Sequence, residues 1–74
     1  MYMVKISKVY IKDEYITLGQ LLKLTDTVSS GGEIKFYLAN NDVFVNGEKE
    51  DRRGRKLRQG DRIKTASGEY EICM

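Results

Sequence analysis

An Asn-Gly pair, Asn46-Gly47, lies in the second half of the chain and follows an alternating apolar stretch. Residues 43–48 read Val-Phe-Val-Asn-Gly-Glu. A type I′ turn needs positive φ at both of its central positions, and Asn followed by Gly adopts these angles readily. The pair therefore predicts a tight β-hairpin with antiparallel strands. The strand returning from the turn, residues 48–51, is entirely polar, so we predict that it lies at the edge of a sheet.

Two short helices are predicted before this hairpin. Each begins with a capping box, in which a Ser or Thr at the N-cap is followed three residues later by Glu or Gln. Thr17 with Gln20 predicts the start of the first helix. Ser30 with Glu33 predicts a second helix over about residues 31–40.

Apolar residues at strand-like spacing predict further strands over residues 2–11, around Ile63 and over residues 70–72. The second helix presents Ile34, Tyr37 and Leu38 on one side, which would pack against these strands. The predicted fold class is therefore α+β, with two short capped helices packed on a small, mostly antiparallel sheet.

The composition excludes several functions. Seventy-four residues predict a single domain, 1–74, with a modest core and no room for a large active-site cavity. The chain has no histidine and one cysteine, Cys73, so it lacks the commonest general base and the commonest metal ligand. We expect no enzyme activity, no cofactor, no metal and no internal disulfide. No apolar run approaches the roughly 20 residues that span a membrane, and the cytoplasm is the expected compartment.

Five basic side chains fall within the seven residues 52–58, which we call the basic segment. Residues 49–64 carry eight basic and three acidic side chains, whereas the rest of the chain carries five basic and eight acidic ones. The net charge of +2 therefore hides a local positive patch. A dense group of guanidinium and ammonium groups beside a hairpin suits the phosphate backbone of a nucleic acid. Gly54 would let this segment bend close to such a ligand.

The order of these signals resembles the ribosomal protein S-four-type RNA-binding domain, also called the alpha-L motif. The resemblance covers residues 16–64 and depends on Val-Phe-Val-Asn-Gly at residues 43–47 and on Leu-Arg-Gln-Gly-Asp-Arg-Ile at residues 57–63. The details at residues 30–32 and 46–57 are most similar to the free-standing, single-domain bacterial members, the YaaA-type proteins. The resemblance implies non-catalytic binding of structured RNA, ribosomal or transfer RNA. Because a single small module offers a limited binding surface, help from the ribosome is expected.

It also implies that the contacts come from the second helix and from the hairpin with the basic segment. Many family members have an arginine where this chain has Gly31, so the basic segment must carry more of the affinity here. The candidate RNA-binding residues are Ser30, Lys35, Lys49, Arg52, Arg53, Arg55, Lys56 and Arg58.

A second interpretation stays open. Ubiquitin-like β-grasp modules also combine a Val-Asn-Gly-Glu hairpin with a later Gly-Asp-x-Ile element, and such a module would use the basic segment to contact an acidic partner protein. The chain ends without the diglycine that sulfur carriers need. A regulatory subunit of a nucleic-acid enzyme is compatible with either surface.

Three further expectations concern single residues and assembly. Ion pairs are expected at the acidic residues Glu48, Glu50 and Asp51. Phe44 is the only aromatic residue expected to be free for stacking. The protein is expected to be a monomer.

Overall fold

The computed structural model describes residues 6–74, so the first part of the strand predicted over residues 2–11 lies outside the described residues. The elements in chain order are β1 (Ile6–Tyr10), β2 (Ile16–Thr17), α1 (Leu18–Leu24), α2 (Gly31–Asn40), β3 (Phe44–Val45), β4 (Glu48–Lys49), β5 (Lys56–Leu57), β6 (Arg62–Thr65) and β7 (Gly68–Cys73). Within this described part, none of the helices has the length and apolar character needed to cross a membrane.

The main sheet has five strands in the order β1-β7-β6-β3-β4. Only β1 and β7 are parallel, and the other neighbouring pairs are antiparallel. The remaining strands, β2 and β5, form a separate two-stranded antiparallel sheet. The predicted fold class, α+β with a mostly antiparallel sheet, is confirmed.

The hairpin predicted from Asn46-Gly47 joins β3 and β4. Asn46 has φ 53° and Gly47 has φ 85°, as a type I′ turn requires. The polar returning strand lies at the edge of the main sheet, as predicted, but it includes only Glu48–Lys49 rather than residues 48–51. Beyond this strand the Glu50 N–H still donates to the Val43 carbonyl oxygen at 2.8 Å, and the Glu50 side chain is only 6% exposed.

The core lies between one face of the main sheet and the two helices. Ile63 of β6 and Ile72 of β7 belong to one buried cluster with Leu18, Leu21 and Leu22 of α1. From α2, the predicted residues Ile34 and Leu38 are buried and Tyr37 is partly buried. Each fully buried Leu or Ile contributes about 1.5–3 kcal/mol relative to an exposed one, so packing, and not helix propensity, holds these short helices.

The capping box that begins α1 is confirmed. The Thr17 hydroxyl oxygen accepts a hydrogen bond from the Gln20 N–H at 3.2 Å, and Gln20 Oε1 accepts one from the Thr17 N–H at 2.8 Å. Both residues at the helix start therefore satisfy backbone donors that the helix itself leaves free.

The capping box predicted at Ser30 is wrong. Ser30 is the N-cap of α2, but its side chain makes no capping hydrogen bond. The Glu33 N–H donates to the Ser30 carbonyl oxygen instead, at 3.2 Å. The Glu33 carboxylate reaches one residue further back and accepts from the Ser29 hydroxyl at 2.6 Å and from the Ser29 N–H at 3.3 Å. Two bonds to a carboxylate outweigh one to a hydroxyl, and they lower the pKa of Glu33.

Candidate nucleic-acid interface

The basic segment is held against the start of α1 by its own backbone. The Arg55 carbonyl oxygen accepts a hydrogen bond from the Leu18 N–H at 2.8 Å, and the Arg53 carbonyl oxygen accepts one from the Gly19 N–H at 2.9 Å. These carbonyl groups satisfy donors in the first turn of the helix. A Cβ at Gly19 would lie 3.2 Å from Ile34 Cδ1 and 3.4 Å from the Arg53 oxygen. The absence of a side chain at Gly19 therefore allows the segment to approach the helix closely.

A buried carboxylate organises the beginning of the segment. Glu50 accepts hydrogen bonds from the backbone N–H groups of Asp51 and Arg52, both at 3.1 Å. It also accepts from Arg52 Nε at 3.0 Å, from Arg52 Nη2 at 3.1 Å and from Arg55 Nη1 at 3.0 Å. The hydrogen bond from the Arg52 side chain is the largest cause that lowers the pKa of Glu50, to about 2. The expected ion pairing of Glu50 is confirmed, whereas its burial was not predicted.

Two guanidinium groups are therefore fixed in place while remaining open to solvent. The Arg52 side chain is 73% exposed and the Arg55 side chain 35% exposed. Together with Gly54, Lys56 and Arg58 they line a shallow concave surface of about 410 Å³, which we call the arginine surface. Four positive side chains surround this surface, and the buried carboxylate that orients two of them lies behind it.

Arg53 belongs to a different concave surface, of about 290 Å³, which it lines with Lys35, Leu38 and Asp51. The fold thus brings a cation of α2 next to a cation of the basic segment. We call this concave surface the helix groove. Asp51 lies in the same groove and offsets part of its positive charge.

Neither of these concave surfaces is lined by the candidates Lys49 or Ser30. Lys49 lies on the edge strand β4, where its Nζ contacts Asp42 Oδ1 at 3.1 Å, and both side chains are largely exposed. Such an exposed pair is weak. Ser30 is exposed at the start of α2, one residue after the Ser29 that binds the Glu33 carboxylate. That negative charge opposes an approaching phosphate.

Tyr15 is a further member of the site that the sequence interpretation missed. Its ring centroid lies 5.0 Å from Lys56 Nζ and 5.8 Å from Arg58 Cζ. No local pattern pointed to this residue, because the contact forms only when β2 pairs with β5. The expectation that Phe44 alone is free for stacking is also wrong, since Phe44 is half-buried whereas Phe36 is 72% exposed.

The two sequence elements behind the resemblance contact each other directly. Asn46 Nδ2 donates to Asp61 Oδ1 at 3.1 Å, and Asn46 Oδ1 accepts from the Arg62 N–H at 3.0 Å. Asp61 Oδ2 accepts from the Arg58 N–H at 2.8 Å. The hairpin turn is thereby tied to the end of the basic segment, which gives a physical reason for the Asn-Gly and Gly-Asp elements to occur together.

This fold and this combination of elements define a class. Residues 9–73 match the S4 domain, so the chain belongs to the S4 domain family, and the match extends beyond residues 16–64, from which the resemblance was inferred. It also favours that resemblance over the β-grasp alternative.

A particular relative is similar over most of its length. The chain is 50% identical over 63 residues to the "Probable ribosome maturation protein RlbA" of Bacillus subtilis (strain 168). The aligned region covers 84% of this chain and 89% of that relative. The relative therefore contains little besides an S4 domain, which confirms the similarity to free-standing bacterial members of the family.

Proposed function

We propose that this protein binds structured RNA without catalysing a reaction, and that its target is ribosomal RNA in a maturing ribosomal particle. Membership of the S4 domain family and the similarity to the Bacillus relative, which is named a probable ribosome maturation protein, support this assignment. The observation that carries it is the arginine surface, where a buried Glu50 holds Arg52 and Arg55 in fixed positions beside two further cations.

The mechanism is electrostatic. Arg52, Arg55, Lys56 and Arg58 neutralise phosphate groups and release counterions, a gain that falls as salt is added. Because the segment is fixed by the start of α1 and by Glu50, little conformational entropy is lost on binding. Contacts to phosphate and to 2′-hydroxyl groups read the shape of a folded RNA more than its base sequence.

The helix groove provides a second group of contacts. Lys35 of α2 and Arg53 of the basic segment both line this groove, and they are suited to phosphates of a neighbouring RNA strand. The start of α2 contributes less than the resemblance implied, because Gly31 supplies no cation and the Glu33 carboxylate lies near Ser30. The roles of Ser30 and Lys49 in RNA binding stay predictions, as do the cytoplasmic location and the monomeric state.

The test is RNA binding by fluorescence anisotropy across a salt series, with a folded ribosomal RNA fragment, a single-stranded RNA and a DNA duplex. The variant Lys56→Gln/Arg58→Gln removes two positive charges from the arginine surface. The matched control Lys23→Gln/Lys64→Gln removes the same charge from the end of α1 and from the outer face of β6.

We expect wild type to prefer the folded RNA. The first variant should reduce the slope of log affinity against log salt by roughly 1.8, since each phosphate neutralised in a duplex contributes about 0.9. The control should leave the slope within about 0.5 of the wild-type value. Equal binding of all three nucleic acids, or equal effects of the two double variants, would overturn the proposal.

A further inference from the structure

The two-stranded sheet places an aromatic ring among cations. Thr17 pairs with Lys56, and Ile16 pairs with Leu57. Side chains alternate between the two faces of a strand. Leu57 is fully buried, so Lys56 faces outward, as does Tyr15 just before β2. This outer face of the small sheet is continuous with the arginine surface, since both contain Lys56.

The cations Lys56 and Arg58 make weak cation–π contacts with the Tyr15 ring on this face. Lys56 Nζ and Arg58 Cζ lie 5.0 and 5.8 Å from the Tyr15 ring centroid. The negative face of the ring attracts both positive groups and reduces their mutual repulsion. A phosphate group, with a full negative charge, would draw either cation away from the ring and uncover a face of the aromatic system.

A further concave surface, of about 450 Å³, adjoins the ring. It is lined by Asp13, Glu14, Tyr15, Ile16 and Gln20. Asp13 and Glu14 are exposed and their carboxylates repel phosphate, so the backbone of a bound nucleotide must lie on the side of Lys56 and Arg58. The same carboxylates are acceptors for the N–H groups on the edge of a nucleobase.

From this arrangement we propose that Tyr15 and its neighbours bind one unpaired nucleotide of the target RNA. The base stacks on the Tyr15 ring, Lys56 and Arg58 contact its flanking phosphates, and Asp13 or Glu14 accepts hydrogen bonds from its edge. Guanine fits best, because it offers two adjacent N–H donors to one carboxylate. The inference rests on the proposed function and adds to it a site that reads a base as well as shape.

The experiment compares three RNA hairpins that differ at one position: fully paired, with a single bulged guanosine, and with a bulged abasic nucleotide. The abasic hairpin keeps the phosphates and removes only the base. Wild type should bind the bulged guanosine about tenfold more tightly than either of the others, as expected for stacking of one base. This comparison needs no change to the protein.

The variants assign the effect to the ring. Tyr15→Phe keeps the ring and should keep the preference for the bulged guanosine, whereas Tyr15→Leu should abolish that preference. Phe36→Leu, at the exposed aromatic residue of α2, is the matched control and should change nothing. Replacing the bulged guanosine by uridine should lower the affinity for wild type, and less so for Asp13→Asn/Glu14→Gln.

The outcomes separate the two proposals. If Tyr15→Leu weakens the binding of all three hairpins equally, the ring only positions the cations and the nucleotide site is overturned. If wild type binds the three hairpins equally and the Lys56→Gln/Arg58→Gln variant still reduces the salt slope, the nucleotide site fails and the RNA-binding function stands. If that variant has no effect on the slope, the proposed function itself fails.

Discussion

Replacing Glu50 by Gln tests the idea that a buried acid organises a basic surface. The change removes one negative charge from the centre of the basic region, so a purely electrostatic view predicts tighter RNA binding. The hydrogen bonds predict the opposite, because Glu50 fixes both Arg52 and Arg55 through its carboxylate oxygens. We expect the Glu50→Gln protein to be less stable and to bind RNA more weakly than wild type.

The loss of stability can be bounded from the pKa of Glu50, which is about 2, against 4.5 for an unperturbed glutamate. At about 1.4 kcal/mol per pH unit, the interactions stabilise the folded protein by at most roughly 3.5 kcal/mol. Solvent screens the contact with Arg52, whose side chain is 73% exposed. The expected loss in the free energy of unfolding is therefore about 1–2 kcal/mol.

The assay is urea unfolding followed by circular dichroism, together with RNA anisotropy at one salt concentration. The matched control is Asp51→Asn, which removes the same charge from the adjacent, exposed residue. Its stability should stay within about 0.5 kcal/mol of wild type, and its RNA affinity should rise slightly. A Glu50→Gln protein that is as stable as wild type and binds RNA as tightly as Asp51→Asn would refute the organising role.

Three further predictions concern stability. The folded pKa of Glu50, about 2, lies below its unfolded value of 4.5, so its contribution to stability is complete above about pH 5 and is lost as the pH falls towards 2. The difference in unfolding free energy between wild type and Glu50→Gln, measured by urea titration, should therefore shrink over that range. A constant difference would contradict the lowered pKa of Glu50. Thr17→Ala should lower the free energy of unfolding by about 1 kcal/mol, whereas Ser30→Ala, which removes no capping hydrogen bond, should lower it by less than about 0.5 kcal/mol. Equal losses in thermal unfolding would show that Ser30 does cap the second helix. Gly47 has φ 85°, so Gly47→Ala should lower the free energy of unfolding by about 1–2 kcal/mol in thermal unfolding. An unchanged melting temperature would argue against the positive-φ turn.

Interactions between near neighbours in the chain were predictable from the sequence. The hairpin at Asn46-Gly47 follows from the backbone angles that these two residues allow. The capping box at Thr17 follows from a contact that spans three residues. The helix over Gly31–Asn40 follows from the apolar residues Ile34, Tyr37 and Leu38, which are three and four positions apart. The resemblance also depended on short elements, and the family match confirmed it.

Even local rules failed where two partners competed for one group. Ser29 and Ser30 both lie within reach of Glu33, and the sequence pattern alone favoured Ser30. The carboxylate binds Ser29 because that residue offers it both a hydroxyl and an N–H donor. The energy difference between such alternatives is about 1 kcal/mol, which a pattern of residue types does not resolve.

Only the tertiary structure decided how the cations are arranged. Tyr15 lies far from Lys56 in sequence, and the two meet because β2 pairs with β5. Lys35 and Arg53 share a groove because α2 packs beside the basic segment. The sequence determined that this protein has a hairpin, two short helices and a dense positive segment, since these depend on local angles and composition. Glu50, which holds Arg52 and Arg55, is their near neighbour in the chain. The position of the segment against α1 depends instead on long-range packing, because burial of the common core brings its carbonyl groups to the N–H groups of Leu18 and Gly19.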